Sequence, residues 1–262
     1  CMDLYGGFDH NIQTLRIVTL LENKYYDFKG LNLSIETLDG LIKHNGPVYD
    51  QSKYDTILGK NFFKKKIIFE KKPSLESQVS SISDDIAYNS HDLEDGIKAN
   101  LFSIEELTDI PVLSEIVYKH KKKLSKKNKE LVLRQIIRET INEMVKDIII
   151  NTRKNLKEQK IKNIKDIYNA QIPLVCFSHR MEEFDFSIKE FLKRKMYYNY
   201  EVLKKTKKGK KIISFLFFMI NKNPKKFLRK NIAKSKERAV CDFIAGMTDR
   251  YAINLYNSLK WM

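Results

Sequence analysis

The run from Ser74 to Asn100 constrains the fold of this chain more than any other stretch. Its apolar residues Leu75, Val79, Ile82, Ile86, Leu93 and Ile97 recur at steps of three, four or seven, the spacing of one stripe on an α-helix. Pro73 and Ser74 before it supply a helix start. At about 100° per residue, Asp84, His91 and Asp95 fall almost opposite the stripe, with Tyr88 and Asp92 on the flank beside them. Asp84, Tyr88 and Asp92 follow at i, i+4 and i+8, one above the other. The spacing therefore predicts a long amphipathic helix with an acidic, histidine-bearing outer face. Such a face is either solvated surface or one wall of a binding site.

Other segments repeat the helical period. Residues 9–26, 34–44, 126–169, 185–203 and 238–259 read as amphipathic helices, with a short helix after Ser103 and another after Pro111. Only 172–177 (IPLVCF) reads as β-like. Glycine and proline are scarce, at nine and five residues of 262, which suits a mainly helical globular chain. A soft boundary is expected near residue 170.

The formal net charge of +16 points to a polyanionic partner, or to a lysine-rich composition that scatters charge without making a site. Its most basic part runs from Lys204 to Lys236 and reads as a candidate contact for single-stranded nucleic acid. The apolar run 212–220 (IISFLFFMI) inside it is a buried helix or strand, far shorter than the roughly 20 residues that span a bilayer. Cys1, Cys176 and Cys241 have neither metal-ligand nor disulfide spacing. A cytoplasmic protein with no membrane partner is the expectation. His44, His120 and His179 lack partner spacing and read as structural.

Two further blocks carry candidate chemistry. In GGFDHN (6–11), His10 stands at a helix start after a double glycine, a place suited to proton transfer. A polar helix-start cluster is the alternative. In FLKRKMYYNY (191–200), bases and tyrosines interleave, as in surfaces that stack bases or hold phosphates. Alternatively Leu192 and Tyr197 are core. One aspartate cannot hold a metal alone, so any ion at Asp84 needs ligands from elsewhere.

Taken together, the blocks 6–19, 30–47, 74–99, 191–200 and 239–256 resemble the bacterial deoxyguanosinetriphosphate triphosphohydrolase-like proteins of the HD-domain superfamily, in the family order and over most of the chain. The resemblance implies an all-α fold: the C-terminal part of an HD-type helical bundle over 1–170, then a helical phosphohydrolase-associated domain over 171–262. It implies metal-dependent hydrolysis of a dNTP to a deoxynucleoside and triphosphate, with Mg²⁺ or Mn²⁺ as the ion. By the same resemblance Asp84 is a metal ligand. Tyr88, Asp92 and Tyr197 contact the substrate, and His10 is the catalytic histidine. The family's first histidine and its His-Asp doublet precede the GGFDHN block, where this chain has only a few residues beginning with Cys1. The expectation is a C-terminal portion, inactive alone, that works with an N-terminal HD-bearing polypeptide and forms a homo-oligomer.

Overall fold

The computed structural model describes residues 1–63, 66–123, 125, 127–228 and 235–260. Among these the regular structure is helical throughout. The chain falls into two compact units: residues 72–203 form one, and 1–71 together with 204–262 form the other. The boundary expected near 170 lies inside the first of these, in the connection between two helices.

The unit made from both ends of the chain begins with a 3₁₀ turn, Asp3–Tyr5, and helix α1, His10–Arg16, which passes into a π-helical turn, Ile17–Leu21. Asp9 caps α1, its carboxylate accepting from the Asn11 and Ile12 amides at 3.0 and 3.1 Å, as the sequence position of an acidic N-cap requires. Ser34 caps α2, Ile35–Ile42, and α3 follows at Ser52–Ile57. Ile12 and Leu15 of α1 pack with Ile42, Ile57 and Phe69 in one apolar cluster.

In the 72–203 unit, Ser74 caps α4, Leu75–Lys98, a helix about 36 Å long at 1.5 Å per residue. A 3₁₀ turn at Glu105–Asp109 precedes α5, Leu113–Lys121. Then come α6, Lys129–Glu158, the short α7, Ile164–Tyr168, and α8, His179–Leu192. The helix predicted over 126–169 therefore ends at Glu158. Ile86, Leu93 and Ile97 of α4 enter a core with Leu113 of α5, Ile136 and Met144 of α6, and Phe184 and Ile188 of α8. Val79, placed on the same stripe by periodicity, is exposed instead. The buried side of α4 also holds Gln78, Asn89 and Ser90, polar residues that a hydrophobic-period reading passes over.

Gln78, together with Asn151 and Asn155 of α6, explains why 172–177 is a loop and not a strand. No strand lies beside it among the described residues, and its backbone is satisfied by side-chain amides. Gln78 Oε1 accepts from the Leu174 and Val175 amides at 2.8 and 3.1 Å. Asn155 Nδ2 donates to Leu174 O at 3.1 Å, and Asn151 Nδ2 to Phe177 O at 2.9 Å. A buried extended segment needs partners for its polar groups, and here three side chains provide them.

Helix α9, Tyr200–Lys222, contains the 212–220 run, which settles that run as helix. Helix α10, Lys236–Ala245, is followed by α11, Asp249–Lys260, with Gly246 ending α10. Ile212, Leu216 and Ile220 of α9 join Val240 and Ile244 of α10 and Leu259 of α11 in a third cluster.

Candidate functional site

The acidic face predicted for α4 is present. Asp84, Tyr88, His91 and Asp95 are exposed, and Asp92 is half-buried beside them. Along α4, successive members of the Asp84, Tyr88, Asp92 series are separated by four residues, about 6 Å of helix rise.

Tyr197 reaches this face from the end of α8. Between Lys193 and Tyr197 the helix widens into a π turn, a geometry that inserts a residue into the ladder and often sits at functional positions. The turn keeps Leu192 fully buried while Tyr197 stays partly exposed. The Tyr197 hydroxyl donates a short hydrogen bond to Asp92 Oδ2. Burial of the ring raises the phenol pKa above its ordinary 10, and the Asp92 hydrogen bond and charge raise it further. The proton thus stays on Tyr197 through the neutral range. The two blocks singled out separately in the sequence meet at this contact, 105 residues apart along the chain.

Surrounding pairs hold the turn. Lys195 Nζ lies 2.5 Å from Glu106 Oε2. That hydrogen bond, with the Ser103 amide donating to Glu106 Oε1 at 2.9 Å, keeps the Glu106 carboxyl below its usual range. Glu106 thus reaches back to the backbone ahead of the 3₁₀ turn at Glu105–Asp109. On the next face of α4, Asn89 Nδ2 donates to Asp185 Oδ1 at 2.6 Å. Lys189 Nζ bridges Asp185 at 2.8 Å and Asp85 at 3.3 Å. The neighbouring acid Asp85 therefore has a cation from α8. Lys189 and Asn89 were not legible as partners, since they are far apart in sequence and neither carries a motif.

His10 opens α1 and is exposed, in the unit formed by the chain ends. His120 is buried and its Nε2 lies 2.9 Å from Glu139 Oε1, consistent with a structural role. His179 is exposed on α8, 3.5 Å from Glu183, so it is no core histidine. Among the described residues no three His, Cys, Asp or Glu side chains converge as a metal centre does. Asp84 contributes one carboxylate, too few ligands for a divalent ion, so the described residues alone do not fit a complete metal site.

Known proteins are similar to this chain in sequence. Residues 175–258 match the phosphohydrolase-associated domain, so the C-terminal part is of the kind that accompanies phosphohydrolases. The chain is 52% identical over 256 residues to the deoxyguanosinetriphosphate triphosphohydrolase-like protein of Pelagibacter ubique (strain HTCC1062), covering 97% of this chain and 69% of that one. Proteins with the same description from Caulobacter sp. (strain K31) and Rickettsia typhi (strain ATCC VR-144 / Wilmington) are 37% and 36% identical. Each match covers 99% of this chain, and 68% and 69% of the relative respectively. The chain belongs to the deoxyguanosinetriphosphate triphosphohydrolase-like family.

No described helix is long and apolar enough to cross a membrane.

Proposed function

We propose that this chain carries the sugar-holding wall of a dNTP triphosphohydrolase. The observation that supports it is the Tyr197–Asp92 contact, which sets a fixed carboxylate beside an exposed tyrosine, Tyr88, on one helix face. Asp92 accepts from the deoxyribose 3′-hydroxyl, with Tyr197 fixing the carboxylate, and Tyr88 lies against the sugar. Asp84, two turns nearer the α4 N-terminus, faces the phosphate end. Hydrolysis breaks the bond between the 5′-oxygen and the α-phosphorus; the water oxygen ends on phosphorus and the 5′-oxygen takes a proton. His10 is the donor of that proton.

Asp84 becomes a ligand for Mg²⁺ or Mn²⁺ only with an HD-bearing segment that supplies the others. The relatives extend beyond the matched region by about a third of their length. The division into an HD-type part over 1–170 and an associated domain over 171–262 belongs to the same reading, as does a cytoplasmic site of action. The test is triphosphate release from a dNTP mixture with Mn²⁺ or Mg²⁺, by this chain alone and with an HD-bearing polypeptide of the family. Release only in the mixture is expected. Robust release from the chain alone sinks the ligand assignment.

A second reading rests on α9. Residues 203–211 are exposed on every side of the helix and include six lysines. Lysines at i, i+3 and i+4 repel one another, so a polyanion binding there relieves a cost already present. Residues 229–234 of the basic segment lie outside the described residues. Single-stranded DNA binding that weakens steeply with salt supports this reading; its absence at low salt removes it.

Self-association completes the proposal. Val145, Ile149 and Ile150 of α6 are exposed, an apolar strip whose burial favours an oligomer. A molecular mass that stays monomeric at high protein concentration in light scattering argues against it.

A further inference from the structure

His10 has its backbone gripped from both sides by one helix. Before it, the chain turns through Gly6 and Gly7, whose φ angles of +87° and +73° lie in the left-handed region, open to glycine with least strain. The Met2 carbonyl accepts from the Tyr5 and Gly7 amides at 2.8 and 2.9 Å. The carbonyls of Tyr5 and Gly7 point the other way, and Arg238 Nη2 of α10 donates to both, at 2.9 and 2.8 Å. Arg238 is buried, so its charge is spent on these carbonyls and not on solvent. A β-carbon on Gly6 would lie 2.8 Å from Thr56 Cγ2 and 3.5 Å from Arg238 Nη2, which shows how closely the turn is seated.

After His10, the inner face of α1 docks on the same helix. Gln13 Nε2 donates to Asp242 Oδ1 at 3.0 Å. Arg16 forms a two-pronged pair with that carboxylate, Nε to Oδ1 at 2.9 Å and Nη2 to Oδ2 at 2.5 Å. Both partners of the pair are nearly inaccessible to solvent, where paired groups are held most firmly.

We propose that Arg238 and Asp242 are positioning residues for His10, holding the chain on either side of an exposed imidazole. This rests on the reading of His10 as the proton donor. A histidine that must meet a leaving oxygen gains from a backbone that does not wander, since small misplacements cost rate steeply. α10 supplies that rigidity from two residues about one turn apart, Arg238 and Asp242.

The test is amide hydrogen exchange on the full 262-residue chain, comparing wild type with Arg238→Ala and Arg238→Lys. The Tyr5, Gly7, Asn11 and Ile12 amides are all hydrogen-bonded and report the grip. In Arg238→Ala their exchange rises at least tenfold, while 212–220 and 250–259 of the same unit keep their protection. Millimolar guanidinium restores slow exchange and equal sodium chloride does not. Arg238→Lys, which keeps the charge but not the planar two-carbonyl fit, lies between and serves alone where the alanine variant does not fold. Unchanged protection of 5–12, or loss spread evenly over the unit, overturns the proposal. Turnover of dNTP by the complete enzyme separates the two readings. The proposal expects Arg238→Lys to lower kcat with KM unchanged. If His10→Ala leaves turnover intact, the reading of His10 fails and Arg238 is left holding the fold only.

Discussion

The Tyr197 hydroxyl donates to the Asp92 carboxylate, joining the π turn that ends α8 to the acidic face of α4. One bond thereby fixes the direction of a carboxylate on an otherwise open helix surface. Asp92 can accept from a ligand hydroxyl without first being reoriented, and the tyrosine stays protonated to do this.

Tyr197→Phe keeps the ring and removes the donor. Together with an HD-bearing polypeptide, the wild-type chain is expected to bind a dNTP about tenfold more tightly than its 2′,3′-dideoxy analogue, as one hydrogen bond to a charged group allows. The phenylalanine variant loses most of that preference, and Asp92→Ala loses all of it. Competition binding with the two nucleotides measures the difference. Equal preference in all three proteins removes Asp92 from the 3′-hydroxyl.

The pH dependence of folding has an identifiable acid contribution. Glu139 of α6 accepts from Lys119 Nζ at 2.9 Å and Gln135 Nε2 at 3.0 Å, and contacts the His120 ring at 2.9 Å. These bonds, that from Lys119 foremost, hold its carboxyl down at about 2. A group depressed in the fold stabilises it above the unfolded pKa, near 4.5, and that contribution disappears as pH falls towards 2. Denaturation midpoints should therefore decline between pH 4.5 and 2 more steeply in the wild type than in Glu139→Gln. Parallel decline in both proteins shows that the Glu139 cluster carries no acid sensitivity.

Gln78 spans the buried gap between α4 and the 172–177 loop. It accepts from two loop amides and donates to Pro73 O at 3.0 Å. Gln78→Ala strands those groups, each costing about 1–3 kcal/mol when buried without a partner. Protease cutting should move to the 171–178 region at concentrations that leave the wild type whole. A variant cut nowhere new has found other partners for the loop.

The same residue shows what periodicity can and cannot carry. The length, cap and outer face of α4 follow from a stripe of apolar side chains and a serine, and the structure has all three. Gln78 and Asn89 escape because their value lies in partners 96 residues away, and amphipathic spacing ranks an amide as solvent-facing. The loop at 172–177 misleads for the complementary reason. Its apolar residues are buried as in a strand, but its polar backbone is satisfied by side chains. Asp92 and Tyr197 were each legible from family-like blocks, whereas their contact required the π turn, which no residue pattern announces. The pairing of Arg16 with Asp242 was equally hidden, since it joins the two ends of the chain.

Gly96 offers a sharper test of packing beneath the acidic face. A β-carbon there would stand 2.3 Å from the ring of Phe102. That ring is buried and meets Phe191 edge-on, with centroids 4.9 Å apart, so it has little room to swing. In an ordinary helix interior, glycine to alanine stabilises by about 1 kcal/mol through propensity alone. Here overpacking of about 1–3 kcal/mol opposes that gain, and the clash should win. Gly96→Ala is expected to lower the urea midpoint, whereas Gly96→Ala combined with Phe102→Leu recovers most of the loss. If the single variant is more stable than wild type, the Phe102 ring moves freely, and the core under Asp92 and Tyr197 is softer than its packing implies.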